Sequence, residues 1–276
     1  MSAIPEFAFE NAASLLNDRD FATVRQLIAD YAGIKLSTQK RNMVYNRLLR
    51  RLRARGLSDF TSYLELVQRD GSDEREPFVN ALTTNLTAFF REPHHFELLA
   101  EHAKKHARRG KPLRCWSSAC STGEEAWSIA MVLREAECPG DVLGTDIDTD
   151  VLNTARAGVY RMDRTASLPL ERLRRHFLRG AGANEGLASV RPELRSLVHF
   201  GQLNLQSPAW PAQEPYDVIF CRNVVIYFDR EFQKKLLARL ADLLVPGGLL
   251  MVGHSESFPA AHPGFRSCGR TAYERT

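Results

Sequence analysis

Apolar residues recur every three or four positions through roughly the first eighty residues of the chain, a spacing that predicts amphipathic helices. Boundary residues support this reading, since Gly33 follows the first periodic segment and Ser37 precedes the second as a candidate N-cap. We therefore predict a helical N-terminal domain, residues 1–82. Its four short helices lie within segments 17–33, 37–57, 58–70 and 73–85.

From about residue 113 the pattern changes to short apolar runs that alternate with helix-spaced segments, which is typical of a mainly parallel sheet covered by helices. We predict an α/β, Rossmann-like domain over residues 83–276. Its strands are expected within 113–119, 141–147, 198–205, 216–223 and 249–256. A helix over 230–244 is expected to end at Pro246-Gly247-Gly248, and 265–276 to pair antiparallel at the end of the sheet.

A segment rich in glycine and turn-forming residues, "FLRGAGANEGLASVRPEL", interrupts this alternation. It lies within residues 161–197, which we interpret as a small inserted β-subdomain. The composition favours a short antiparallel sheet there.

The composition is that of an ordinary globular chain, with 276 residues, 44% hydrophobic and 25% charged. A formal charge of +4 is too small to indicate nucleic-acid binding by itself. The five cysteines contain no C-x-x-C pair and are interpreted as reduced thiols. The first residues lack the features of a signal peptide, and no apolar run reaches the roughly 18 residues of a membrane span. We expect a cytoplasmic protein without membrane insertion.

The turn after the first predicted strand favours one kind of ligand. In open α/β sheets ligands bind beyond the carboxyl ends of the strands, near the first strand–turn–helix unit. Here the sequence is "SSACSTGEEAWS", with a single glycine, Gly123, followed by Glu124 and Glu125. A dinucleotide site would have G-x-G-x-x-G and bare amides facing the pyrophosphate. Two glutamates instead favour a ligand with positive charge and no phosphate.

Asp146 ends the second predicted strand 23 residues after Gly123, where an acidic residue typically binds a ribose diol. A ribose, positive charge and no phosphate are together the properties of S-adenosylmethionine. We assign its α-amino group to Glu125 and its ribose to Asp146. The alternative is that the glutamates only interact favourably with the helix dipole.

Three further stretches resemble one protein family: "TTNLTAFFREPHHF" (83–96), "STGEEAWSIAM" (121–131) and "FCRNVVIYFD" (220–229). Together with the helical N-terminus and the glycine-rich insert, they make the chain similar, over nearly its whole length, to the chemotaxis receptor methyltransferases, the CheR family. The resemblance implies a class I methyltransferase domain behind an all-α N-terminal domain. It also implies that S-adenosylmethionine esterifies glutamates on the cytoplasmic coiled coil of bacterial chemoreceptors, which tunes adaptation.

The resemblance, added to the residue interpretations, gives a candidate site. Arg91 and Tyr227 are the expected catalytic residues, Arg91 at the substrate carboxylate and Tyr227 on the acceptor side. A tyrosine buried for packing is the alternative for Tyr227. The cofactor-binding set is Asn85, Thr87, Arg91, Ala119, Glu125, Asp146, Asn204, Leu205, Arg222 and Asn223.

The substrate class fits a site without a general base. A glutamate side chain is already ionised at neutral pH, so it can attack a methyl group directly. The enzyme then mainly positions two reactants and excludes water. Thr84, Thr87 and Arg91 recur at i, i+3 and i+7, which predicts a helical lid over the pocket. A solvated helix face is the alternative.

Residues 40–55 carry seven basic residues and no acidic one. Arg47, Arg51 and Arg55 recur every four positions, and this one-signed stripe predicts an anionic partner. In the family such a helix contacts the acidic methylation helices of the receptor. RNA is the rival partner, but the helix lacks the interleaved aromatic residues that stack on bases.

Other expectations concern the insert, metals and thiols. The pattern "RGxGxxEGL" resembles family members whose β-subdomain adds a receptor C-terminal tail peptide to a sheet edge. His94, His95, His102 and His106 lack further ligands at convincing spacing, so we expect no metal. Cys221 is close to the predicted pocket, so we expect the protein to be sensitive to thiol reagents.

We expect a monomer that binds no nucleic acid.

Two alternative functions remain open at this point. One is a methyltransferase that acts on RNA or a small molecule. The other is a degenerate fold that binds the cofactor or its product as a regulatory module.

Overall fold

The computed structural model describes residues 16–210, 214–256 and 262–276. The chain forms two compact units. The first ends at Thr84 and also includes Tyr227–Asp229, and the second comprises Asn85–Ile226 and Arg230–Thr276. Among the described residues, no helix combines the length and the apolar composition that are needed to cross a lipid bilayer.

The first unit contains the four predicted helices: α1 Asp18–Ala32, α2 Arg41–Ala54, α3 Phe60–Gln68 and α4 Arg75–Leu82. The Asn17 side chain caps α1 by accepting from Asp20 N at 2.8 Å, and Gly33 ends it with φ 71°. Ser37 does not cap α2; it precedes a 3-10 turn, Thr38–Lys40, and its side chain makes no capping hydrogen bond.

The second unit is built on a seven-stranded sheet of order β6-β2-β1-β7-β8-β10-β9. The five neighbouring strands β6, β2, β1, β7 and β8 are parallel. At the other end of the sheet, β10 pairs antiparallel with β8 and β9 pairs antiparallel with β10, as predicted. The bounds are β1 Leu113–Ser117, β2 Gly140–Asp146, β6 Val198–Gln202, β7 Tyr216–Cys221, β8 Leu244–Val252, β9 Phe265–Gly269 and β10 Ala272–Arg275.

Helices of this unit cover the sheet: α5 His94–Ala107, α6 Glu124–Glu135, α7 Thr149–Ala157 and α10 Arg230–Asp242. α6 and α7 contact β2 and β6, and α10 contacts β8. The apolar core between these layers includes Trp127, Met131 and Val142, which are at most 2% exposed. The predicted Rossmann-like arrangement is therefore confirmed.

The helix expected over 230–244 is two residues shorter at its C-terminal end, and Pro246-Gly247-Gly248 lies inside β8. The strand accommodates proline because its pairing with β7 jumps from Tyr216–Leu244 to Val218–Leu249. The residues between Leu244 and Leu249 form an irregularity in which a missing N–H breaks no regular ladder.

The predicted antiparallel insert is also present. Its sheet has the order β3-β5-β4, with β3 Val159–Arg161, β4 Phe177–Arg179 and β5 Leu187–Val190. Two short helices, α8 Leu170–His176 and α9 Pro192–Arg195, accompany it. The sheet begins two residues before the predicted segment 161–197.

Candidate active site

The centre of the main sheet is a topological switch point. β1 and β7 are parallel neighbours, with β2 beyond β1 on one side and β8 beyond β7 on the other. In open α/β sheets the crevice outside the carboxyl ends of such strands binds the ligand. The 118–123 loop follows β1, Asp146 is the last residue of β2, and the Arg222-Asn223 pair follows β7.

Asp146 is a buried carboxylate held by two backbone amides. Its Oδ2 accepts from Ser121 N at 2.8 Å, and its Oδ1 accepts from Asp148 N at 3.0 Å. Burial raises the pKa of Asp146 to about 6, against the lowering effect of these hydrogen bonds. A carboxylate has about four lone-pair sites, so Asp146 retains acceptor capacity on both oxygens.

The segment 85–93 is not helical, so the prediction of a helix there is wrong, whereas its role as a lid stays a prediction. Two of its polar groups instead bind residues outside the segment. Asn85 Nδ2 donates to Asp148 Oδ2 at 2.7 Å, and Phe90 N donates to Ser128 Oγ at 3.0 Å. Phe90 and Glu92 have φ values of 52° and 59°, which no right-handed helix contains.

Gly123 allows the backbone conformation of the turn that precedes α6. It has φ 94°, a conformation that residues with a side chain rarely adopt. A Cβ atom there would also lie 2.8 Å from Ala155 Cβ in α7. The single glycine of "STGEE" therefore permits a tight turn and a close approach between α6 and α7.

The two glutamates after Gly123 have different partners. Glu124 is paired with Arg164 of the insert, and its Oε2 accepts from Thr122 Oγ1 at 2.6 Å. Glu125 accepts from Ser117 Oγ at 2.6 Å and is paired with Arg222 Nη1 at 3.1 Å. Burial raises the pKa of Glu125, and the Arg222 charge opposes that rise.

Arg222 is the centre of a buried ionic cluster, and its side chain is 1% exposed. Besides Glu125, its guanidinium contacts Glu92 Oε2 at 3.3 Å and donates to the Arg91 carbonyl oxygen. Asn223, the next residue, reaches Glu92 Oε1 with Nδ2 at 3.5 Å. This cluster joins the ends of β7 and β1 to the 85–93 segment.

Comparison with known proteins shows the family to which this chain belongs. The CheR methyltransferase all-alpha domain matches residues 19–83, and the CheR methyltransferase SAM binding domain matches residues 85–273. The chain belongs to the CheR methyltransferase family.

Relatives in this family are similar to the chain over nearly its full length. A chemotaxis protein methyltransferase of Escherichia coli K12 is 50% identical over 94% of this chain and 91% of the relative. One of Salmonella typhimurium LT2 is 50% identical over 94% and 90%, respectively. Chemotaxis protein methyltransferase 2 of Pseudomonas aeruginosa is 47% identical over 99% of this chain and 98% of the relative.

The protein is thus a CheR-type, S-adenosylmethionine-dependent methyltransferase, and its site has the chemistry to hold that cofactor. Asp146 offers free acceptor positions for the hydroxyls of a ribose. Glu125, whose side chain is 12% exposed, offers a negative charge for a cationic group. The start of α6 presents two carboxylates, which would repel a phosphate.

The other predicted CheR site residues lie around this centre. Arg91 Nη1 donates to Leu86 O at 2.8 Å, and Thr87 O accepts from Arg164 at 3.2 Å. Asn204 Oδ1 accepts from Gln206 N at 2.9 Å, so its side chain shapes the turn after β6. Leu205 is buried and Ala119 is partly buried. Their contacts with a cofactor stay predictions.

Tyr227 groups with the first unit, where its carbonyl oxygen accepts from Lys35 N at 3.0 Å. Its predicted catalytic role therefore stays a prediction. The predicted receptor-facing arginines also lie in the first unit. Arg51 and Arg55 are both paired with the buried Glu74, and Arg47 donates to the carbonyl oxygen of Thr83.

Sequence reasoning missed three carboxylates of the site: Glu92, Asp148 and Glu256. Glu92 lies in the stretch "TTNLTAFFREPHHF", and Glu256 is the last residue of the predicted strand segment 249–256. Nothing in these stretches showed that their carboxylates bind Arg222 and the backbone after β7.

Glu92, His94 and His95 bring one ligand atom each within 4.8 Å of one another, a geometry that could hold a metal ion. However, Glu92 is paired with Arg222 at 3.3 Å and with His254 at 3.4 Å. A cation bound there would meet the guanidinium group at close range. The expectation of no metal stays a prediction.

Cys221 is fully buried in β7. Burial raises the pKa of its thiol well above the usual range, so little thiolate is present at neutral pH. The expected sensitivity to thiol reagents would require an opening of the sheet.

Proposed function

We propose that this protein transfers the methyl group of S-adenosylmethionine to glutamate side chains on the cytoplasmic domains of bacterial chemoreceptors. The products are glutamate methyl esters, which tune chemotactic adaptation. Family membership supports the methyl transfer, and the names of the relatives support chemotaxis. The observation that carries the proposal is a pair of carboxylates at the switch point of the sheet, the buried Asp146 and Glu125, whose side chain is 12% exposed.

Each residue of the site has a distinct task in this proposal. Asp146 accepts hydrogen bonds from the ribose hydroxyls. Glu125, held by Ser117 and Arg222, provides negative charge beside the amino group. When bound, S-adenosylmethionine supplies an electrophilic methyl group on a sulfonium. Arg91 orients the carboxylate of the substrate, and no general base is needed because that carboxylate is ionised at neutral pH.

The receptor is proposed to dock on α2 of the first unit. The predicted contacts are Arg47, Arg51 and Arg55, but Arg51 and Arg55 also bind Glu74 internally. Arg50 and Arg53 are exposed on the same helix and form no ion pair within the described residues. We therefore add Arg50 and Arg53 to the proposed docking surface, since their charge is available to an acidic partner.

The insert is proposed to bind the receptor's C-terminal tail peptide by strand addition. β5 is the middle strand, so β3 and β4 each pair on one side only within the described sheet. Such an edge offers unpaired backbone groups to an extended peptide. We further propose that the enzyme acts in the cytoplasm, as a monomer.

The experiment is a methylation assay with methyl-labelled S-adenosylmethionine and a purified receptor cytoplasmic fragment. We expect base-labile incorporation of label, as a methyl ester requires. Asp146→Asn should weaken binding of S-adenosylhomocysteine about 10- to 100-fold, as expected when hydrogen bonds to a charged acceptor are lost. Asp150→Asn, at an exposed position in the first turn of α7, is the matched control and should bind normally.

Two outcomes would contradict the proposal. Tight cofactor binding without incorporation into any receptor fragment would favour a regulatory module. Incorporation into RNA or a small molecule, but not into receptor, would favour the other alternative.

A further inference from the structure

We propose that Glu256 is a positioning residue for methyl transfer, because it fixes the backbone of residues 223–225 at the end of β7. This inference rests on the proposed function, since it concerns the same site. Glu256 lies in the loop that follows β8, the strand adjacent to β7. Its carboxylate is not expected to touch either reactant.

Three backbone amides converge on the Glu256 carboxylate, which is 5% exposed. Its Oε2 accepts from Asn223 N at 2.9 Å and from Gly253 N at 2.7 Å. Its Oε1 accepts from Val225 N at 2.7 Å. One side chain thus ties together the loops that follow two neighbouring strands.

The conformation of Asn223 explains why this support is needed. Asn223 has φ 58°, in the left-handed region that most residues with a side chain avoid. Such a conformation persists only when its surroundings hold it in place. A charged acceptor that binds the amides of residues 223 and 225 favours this turn over an extended continuation of β7.

Gly253 provides independent evidence that the loop after β8 packs closely against Asn223 and Glu256. A Cβ atom at this position would lie 2.5 Å from Asn223 Nδ2 and 2.9 Å from Asn223 N. It would also lie 2.9 Å from Glu256 Oε2. Only glycine allows the loop after β8 to approach Asn223 this closely.

The effect of Glu256 can be separated from cofactor binding. Arg222 contacts Glu92, Glu125 and the Arg91 carbonyl oxygen directly, and Glu256 takes part in none of these three contacts. Loss of the Glu256 carboxylate should therefore leave the Arg222–Glu125 pair in place and displace Asn223. Asn223 is one of the predicted cofactor contacts, but Asp146 and Glu125 keep their own partners. Displacement of Asn223 should therefore disturb the orientation of the reactants, and slow turnover, more than it weakens cofactor binding.

The test is a kinetic comparison of Glu256→Gln with wild type. Glutamine would place an NH2 group against an amide N–H, so one of the three contacts would become repulsive. We expect kcat to fall at least about tenfold and the KM for S-adenosylmethionine to change less than about threefold. Gly253→Ala should have the same kinetic signature.

A double-mutant cycle with Asn223→Ala shows whether Glu256 acts through Asn223. If it does, the double variant should be no slower than Asn223→Ala alone. The matched control is Asp217→Asn, at the other end of β7, where Oδ2 accepts from Arg114 N at 2.8 Å. This variant should keep the wild-type kcat.

Additive effects in the cycle, or an equal loss of kcat in Asp217→Asn, would overturn the inference. So would wild-type turnover in Glu256→Gln. An NMR spectrum offers a readout besides activity, because the amide signals of Asn223 and Val225 should shift in Glu256→Gln; unchanged signals would also overturn it. A wild-type enzyme that methylates no receptor would contradict the proposed function instead, and the amide signals would still decide the role of Glu256.

Discussion

At the scale of single residues, the same chemical group has different tasks in different surroundings. Asp146 accepts hydrogen bonds from two amides and retains acceptor capacity, Glu125 is paired with Arg222, and Glu256 accepts hydrogen bonds from three amides. The partners of each carboxylate, rather than its residue type, determine what it can do. None of these partners is adjacent in sequence to the carboxylate.

Cofactor affinity should depend on pH through Asp146. Its pKa in the folded protein is about 6, above the ordinary 3.8, so the carboxyl is largely protonated at pH 5. The ionised form is the better acceptor for two ribose hydroxyls. Binding of S-adenosylhomocysteine should therefore tighten as pH rises, by about tenfold between pH 5 and pH 7. Calorimetric titration would measure this trend.

Asp146→Asn is the control for this titration, because its weaker binding should not change over the same pH range. A wild-type affinity that is constant from pH 5 to pH 7 would contradict the assignment. The sign for stability is opposite to that for affinity. Since ionising Asp146 is costly in the folded state, this group alone makes folding less favourable as pH rises from about 4 to 6.

At the scale of elements, α2 shows that a run of basic residues can bind either an external acidic partner or a buried carboxylate of the same unit. Its basic stripe predicted an external acidic partner, yet Arg51 and Arg55 converge on Glu74, which is fully buried in the first unit. Tyr63 also donates to Glu74 Oε1 at 2.9 Å. Burial opposes ionisation, but these hydrogen bonds outweigh it and lower the pKa of Glu74.

Replacement of Glu74 by alanine should therefore destabilise the helical unit. Removal of one partner from a buried ion pair costs about 3 kcal/mol or more, and the low end applies because both arginines retain access to water. Urea unfolding followed by circular dichroism would measure the change. Arg50→Ala, at an exposed position of α2, should change the free energy of unfolding by less than about 0.5 kcal/mol. Equal effects of the two variants would show that Glu74 is not a structural centre.

Elements were predictable from sequence where local periodicity determines them. The four N-terminal helices, the parallel strands and the antiparallel insert all follow from spacing and turn residues. The segment 85–93 was not predictable in this way, because contacts with Ser128 and Asp148 override its helical spacing. In the site, the spacing between Gly123 and Asp146 made Asp146 a candidate from the sequence. Glu256 was not predictable, because two of its three amide partners, Asn223 and Val225, lie far away along the chain. The same holds for Glu74 in the first unit, whose partners include Arg51.

At the scale of the whole molecule, the net charge of +4 predicts association with an acidic partner less well than the positions of the exposed, unpaired arginines do. Arginines that are already paired contribute little to a distant partner, whereas exposed ones on one helix can accelerate association with an acidic surface. Arg50 and Arg53 are of the second kind.

The charge reversal Arg50→Glu with Arg53→Glu should therefore raise the KM for a receptor fragment at least about tenfold and make it less dependent on salt. Affinity for S-adenosylhomocysteine should be unchanged. The matched control is Arg108→Glu with Arg109→Glu, which makes the same change in net charge at exposed positions after α5. Equal increases in KM would indicate a nonspecific effect of charge.

The buried thiols have a consequence for how the molecule can be observed. Cys115, Cys120 and Cys221 are fully shielded from solvent, and burial raises the pKa of each thiol. An alkylating reagent can reach them only while β1, β7 or the turn after β1 is transiently open. The rate of alkylation therefore measures how often the centre of the sheet opens, and a cofactor that binds only the closed form should slow it in proportion to its occupancy.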